Sequence, residues 1–308
     1  MEKESVCKAH VIVVPYHGQG HINPMVQFAK RLASKGIKIT IATTASTAKT
    51  MERTSDLFSV VSMYDDITDG GVAGPGGFKG FLDRFEASGL KKLTEIVVKH
   101  ENTDHPIKCL VHDADMMWAS SVATELGIAR AAFFTQSCAA IGKRISQRIS
   151  YPILEDFAPH LPSLGSDTGH YPPLIMHILR QFDNLDKADW VLFYSFNALE
   201  EEVVRWLSKF WRARTIGLIV PSVYLDKRVE SARDYVFNIH KPSTGTCLDW
   251  LNKQKNGSIV YVSYGSVTSL SVEQIAEIAE ALEHGNNNFL WVVNSQAISK
   301  RKHQIREL

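Results

Sequence analysis

Short apolar runs alternate with amphipathic stretches along most of the 308-residue chain. The runs fall at 11–14, 37–42, 58–63, 107–111, 131–134, 190–194 and 215–219, and they are rich in Val, Ile and Phe without polar alternation. Strands of that kind are buried on both faces, as in a parallel sheet covered by helices. Between them, helical patterns lie at 25–35, 80–100, 115–126, 137–150, 172–184 and 198–209. The rhythm predicts an open, doubly wound α/β domain, and the irregular spacing argues against a barrel.

Residues 219–246 show no clear period and read as a linker, so the first domain is expected to span 1–218. Beyond it the alternation restarts within 247–308, with a helix at 247–254, strand then turn at 258–266, a helix at 271–285 and a strand at 288–293. One βαβ unit cannot bury a core of its own. Such a stub is expected to pack on the first domain, to find a partner chain, or to be a truncated second domain. Its two strands, if left open, would also be prone to aggregate. "DDITDGGVAGPGG" (65–77) reads as a mobile surface loop, or alternatively as a lid or substrate wall, and 161–173 is another Pro- and Gly-bearing connection.

Composition narrows the classes. Hydrophobic residues make up 44% and charged residues 22%, with a formal net charge of +1. That balance gives no bulk electrostatic reason to expect nucleic acid or an anionic membrane as partner. Cys7, Cys109, Cys138 and Cys247 are far apart, so neither a zinc site nor a disulfide framework is suggested, and a reduced compartment fits. The polar start "MEKESVCKAH" and the short run after it do not make a secretory signal. A cytoplasmic protein without a membrane span is the expectation.

Chemistry concentrates in loops after strands. "PYHGQGHINP" places Gly18, Gly20, His17 and His21 between a strand and a helix. As a dinucleotide fingerprint it is weak, because Asn23 stands where a third glycine belongs and no acidic residue follows the next strand. Read instead as a helix start, Asn23 would be the N-cap and Pro24 the first helical residue, with His21 just ahead. The positive helix end would then keep His21 neutral, as a general base requires. "CLVHDADMMW" puts Asp113 and Asp115 just past another strand end, where a His–Asp pair with His21 is plausible; two unconnected loop residues remain the plainer alternative. His17 and His112 are further candidates, but a zinc site would need a third ligand at consistent spacing. There is no nucleophile elbow and no P-loop. "YVSYGSVTSLSVEQ" ends a strand at Gly265-Ser266 before a helix, a weak phosphate-site signal or an ordinary turn.

Four stretches carry a resemblance: "PYHGQGHINPMVQFAKRLASKG", "CLVHDADMMWASSVATELGIARAAFFTQSCA", "NLDKADWVLFYSFNALEEEVV" and "GSIVYVSYGSVTSLSVEQIAEIAEALE" with "NNFLWVV". From about residue 8 to Val293 they resemble plant UDP-dependent glycosyltransferases of family 1, most of all the branch that glucosylates hydroxyls and carboxylates of small metabolites. The resemblance implies a GT-B fold of two Rossmann-like domains, with an acceptor domain first and a UDP-sugar domain second. It implies that His21 takes the acceptor proton, that Asp113 orients it, and that the sugar is inverted as UDP leaves. It assigns donor contacts to Gly20, Thr135, Gly265 and Ser266, and it implies no metal or bound cofactor, a UDP-sugar (glucose by default) as co-substrate, a small aglycone as partner, and, for a complete chain, a monomer.

Two departures bear on this. Gly18 stands where relatives often carry Thr or Ser. The family's donor signature, a Trp-led segment containing "HCGWNS", does not occur in the sequence. A truncated product with trace turnover is therefore expected, and binding of an aglycone or partner chain without turnover is the alternative.

Overall fold

The computed structural model describes residues 9–51, 57–64, 77–141, 180–182, 184–217, 244–264, 270–285 and 287–292. They fall into two compact units, Met1–Ile239 and His240–Leu308.

In the first unit the chain runs β1 (His10–Val14), α1 (Gln19–Ala33), β2 (Lys38–Thr44), α2 (Ala45–Met51), β3 (Ser59–Tyr64), α3 (Gly77–Glu101), β4 (Ile107–Asp113), α4 (Ala119–Glu125), β5 (Ala129–Phe134), β6 (Trp190–Phe193), α5 (Asn197–Leu207) and β7 (Ala213–Thr215). The strands form one sheet in the order β3-β2-β1-β4-β5-β6-β7. Every pairing is parallel. The doubly wound expectation holds.

Strand alternation sorts the core into two layers. Val11, Val13, Ile39, Ile41, Val111 and Phe133 point to one face, where Ile22, Met25, Val26 and Ala29 of α1 cover them. Ile12, Val14 and Leu110 point to the other, against Phe85, Leu93 and Val97 of α3 and Val122 of α4. Further along that second face, Phe134 and Phe193 pack under Val203, Val204 and Leu207 of α5. Each fully buried side chain of this size stabilises the unit by about 1.5–3 kcal/mol.

The sheet order reverses at β1, since β2 and β3 extend to one side and β4 onward to the other. Loops leaving adjacent strands at such a point diverge to opposite faces and open a crevice at the carboxyl ends. The β1–α1 loop and the end of β4 flank that crevice.

Three local expectations differ from what is seen. Helix α1 starts at Gln19 rather than near residue 25, with Gly18 as its N-cap and no side-chain cap. The backbone N–H groups of His21 and Ile22 both donate to the Gly18 carbonyl at 2.9 Å. Asn23 is therefore not a cap, and Pro24 sits inside the helix. Ile22 explains this, because it is fully buried with Met25, Val26 and Ala29, an i, i+3, i+4, i+7 stripe that begins upstream of the proline. Pro24 only deprives the exposed Gly20 carbonyl of a donor. Helix α2 was not foreseen, since "ASTAKTM" has no apolar period. The last strand comes earlier than residues 215–219, at Ala213–Thr215.

The second unit contains α6 (Thr244–Leu251), β8 (Ile259–Ser263), α7 (Val272–His284) and β9 (Asn288–Val292), with β8 and β9 parallel. Ser271 and Gln274 close a reciprocal capping box on α7. No residue of α7 is buried, and Tyr261 of β8 is 65% exposed. Among the described residues this unit has no core cluster, as one βαβ unit predicts. The loop at 65–76, most of the helices expected at 137–150 and 172–184, the connection at 161–173, most of the linker, and Gly265 and Ser266 lie outside the described residues.

Candidate active site

His21 stands in the first turn of α1 and Asp113 is the last residue of β4, on the two sides of the crevice. His21 Nδ1 donates to Asp113 Oδ2 at 2.9 Å. The other oxygen, Oδ1, accepts from the backbone N–H of Asp115 at 2.9 Å. This bond caps the 3-10 turn Ala114–Met116. Both oxygens of Asp113 are thus committed, and the side chain is 1% exposed, so its orientation is fixed. An ionised carboxylate only accepts, so the proton of neutral His21 resides on Nδ1 and the lone pair lies on Nε2.

Two more groups meet the ring. Thr135, just past β5, brings Oγ1 to 3.3 Å from Nδ1. Asp115 brings Oδ2 to 3.6 Å from Nε2. Gln181 Nε2 donates to the second oxygen of Asp115. The His21 ring also meets Tyr16 edge-on at 5.3 Å.

The expectation that His21 is held below its ordinary value is not met. Burial does push its pKa down, but the charge of Asp113, the hydrogen bond to it and the charge of Asp115 together reverse the effect and raise it. A helix end contributes a fractional charge, whereas two full carboxylates face this ring. Deprotonating Nε2 therefore needs a higher pH than for a free histidine. Partial burial pushes the Tyr16 phenol up, and the charges of Asp115 and Asp113 add to this.

The other candidates have different surroundings. His17 packs against Tyr16, Phe81 and Phe85. His112 is fully buried, donates from Nδ1 to the Asp113 carbonyl, and is pushed down by burial. Gly20 is open, with nothing within 4 Å of where a Cβ would stand. At Gly18 a Cβ would lie 3.4 Å from His21 Cδ2, an ordinary contact distance. His21, Asp113 and Asp115 are the one group among the described residues with three ligand-type atoms within 4.8 Å of one another.

Sequence reasoning did not find Gln181 or Glu200. Glu200 accepts from the backbone N–H groups of Cys138 at 3.0 Å and Ala139 at 2.8 Å, and from Ser195 Oγ. These bonds tie the turn carrying Thr135 to α5. No local motif announces either residue, because both contacts are long-range.

No protein-family model matches the chain. Among individual proteins, UDP-glucosyl transferase 74CD1 of Saponaria officinalis is 37% identical over 95% of this chain and 68% of its own length. Flavonol 7-O-beta-glucosyltransferase UGT74F1 of Arabidopsis thaliana is 39% identical over 95% of this chain and 67% of its own. The crystal structure of Os79 from O. sativa with UDP superposes with a TM-score of 0.83 at 32% identity, over 96% of this chain and 70% of that one. No helix among the described residues is long and apolar enough to cross a membrane. With a Rossmann-like sheet, a His–Asp pair at its switch point, and these relatives matched over about two thirds of their length, the chain belongs to the plant UDP-glycosyltransferases.

Proposed function

We propose that this chain serves inverting transfer of glucose from UDP-glucose to a hydroxyl or carboxyl group of a small plant metabolite. The observation that carries the reading is the 2.9 Å bond from His21 Nδ1 to Asp113 Oδ2 at the sheet's switch point. An acceptor hydroxyl at Nε2 passes its proton to that nitrogen as its oxygen attacks the anomeric carbon. UDP departs from the opposite side, and Asp113 stabilises the imidazolium that forms. The Oγ1 of Thr135, held beside His21, is placed to meet the sugar. The family pattern assigns further donor contacts to Gly20 and, outside the described residues, to Gly265 and Ser266. UDP-glucose is the co-substrate and a small aglycone the partner, and a monomer in the cytoplasm suits such a reaction.

The test is incubation with UDP-glucose and a panel of phenols, alcohols and carboxylates, with glucosides identified by mass and anomeric configuration. β-Glucosides, even in trace, support transfer with inversion. Retained configuration refutes the mechanism, and acceptor binding without any glucoside contradicts transfer by this chain.

A further inference from the structure

A second carboxylate flanks the Nε2 side of His21, and the proton transfer above does not use it. Asp115 is 10% exposed, with Oδ2 at 3.6 Å from Nε2. Its backbone N–H is tied to Asp113, which turns both carboxylates toward one imidazole. Gln181, itself 2% exposed, holds the other oxygen. This is a positioned group and not a loose surface acid. We propose that Asp115 is a specificity-determining residue that makes the acceptor site favour neutral hydroxyl acceptors over carboxylates.

The inference rests on the reading of His21 as the base. An acceptor must bring its oxygen to Nε2, beside Asp115 Oδ2. A hydroxyl can do so by donating to Nε2 or to Asp115. A carboxylate has no proton to donate and adds a third negative charge where two carboxylates, Asp113 and Asp115, already share one imidazole. The described groups facing the ring are Asp113 from the end of β4, Asp115 from the turn after it, Tyr16 from the β1–α1 loop and Thr135 after β5, with His17 against Tyr16. Like charges within a few ångströms, at the effective dielectric of a protein, disfavour binding by about tenfold to a hundredfold.

The experiment uses the full chain labelled with 15N-histidine. The His21 resonance is followed while 2-naphthalenemethanol or 2-naphthoate, a matched alcohol and carboxylate, is added at neutral pH. The wild type is expected to bind the alcohol at least tenfold more tightly. Asp115→Asn is expected to shrink that ratio about tenfold, mainly by tighter carboxylate binding. Asp115→Glu keeps the charge and should keep the preference, and it remains informative if the amide variant folds poorly. An unchanged ratio in Asp115→Asn, or a wild type that prefers the carboxylate, overturns the proposal. Asp113→Asn is the control for the underlying reading, and its His21 should titrate at lower pH than in the wild type. If that shift is seen while the ratio ignores Asp115, only the specificity inference falls. If it is absent, or if neither probe perturbs His21, the base reading falls and takes the inference with it.

Discussion

Gly89, in the middle of α3, is a position where two effects of opposite sign compete. In an isolated helix Gly→Ala stabilises by about 1 kcal/mol. Here a Cβ at position 89 would stand 2.5 and 2.6 Å from Trp118 Cη2 and Cζ2, and 2.6 Å from Tyr64 Oη. That is about 1 Å inside ordinary carbon contact. Both rings pack among Phe85, Tyr16 and the rest of the aromatic cluster beneath the β1–α1 loop, so neither can swing freely. Overpacking of this kind costs about 1–3 kcal/mol. The clash offsets or exceeds the propensity gain, so Gly89→Ala should lose up to about 2 kcal/mol net. In a unit of this size that lowers Tm by up to about 8 °C. The assay is thermal unfolding read with the near-ultraviolet circular dichroism of Trp118. Combining Gly89→Ala with Trp118→Leu should show a positive coupling, since the smaller side chain removes the clash. A Gly89→Ala protein that melts higher, with an unaltered tryptophan signal, would refute the packing of α3 against α4.

Other consequences concern buried polar groups. His10 is 1% exposed, and Nδ1 donates to the His105 carbonyl while Nε2 accepts from Thr40. Burial pushes its pKa below 6.5, with His100, Lys38 and His105 adding to this against the bond to the His105 carbonyl. The unfolded chain then binds more protons than the native one, so stability should fall as pH drops through about 6.5. Urea unfolding between about pH 7.5 and 5.5 should show that slope, and His10→Gln should flatten it. Glu200 is held below its ordinary value because its hydrogen bonds from Ser195, Ala139 and Cys138 outweigh its burial. Glu200→Gln replaces one acceptor oxygen with a donor facing backbone N–H groups and should cost about 1–3 kcal/mol in chemical unfolding, with perturbed Thr135 resonances. The acid limb of any His21-dependent rate should lie above that of a free histidine, and Asp115→Asn should move it down.

The sheet was legible because its strands are unbroken apolar runs, as at Val11–Val14, and such runs have few other homes. His21 and Asp113 were legible because both abut strand ends. The start of α1 was misread because Asn23-Pro24 imitates a helix entrance, while the burial of Ile22 decides it from outside the local window. The direction of the His21 shift was misread for a related reason. A helix end is visible in sequence, but the closeness of Asp113 and Asp115, about 90 residues away in the chain, depends on the pairing of β1 with β4. Gln181 and Glu200 act through contacts spanning 66 and 62 residues. Nothing in their neighbourhoods marks them.

The central claim is that His21, oriented by Asp113, takes the acceptor's proton. Its most direct test is glucoside formation from UDP-glucose and a flavonol by the wild type and by His21→Ala, under identical conditions and at whatever absolute rate the chain supports. The account predicts a loss of about a hundredfold to ten-thousandfold in the variant. A His21→Ala chain that forms product within a few-fold of the wild-type rate would contradict it.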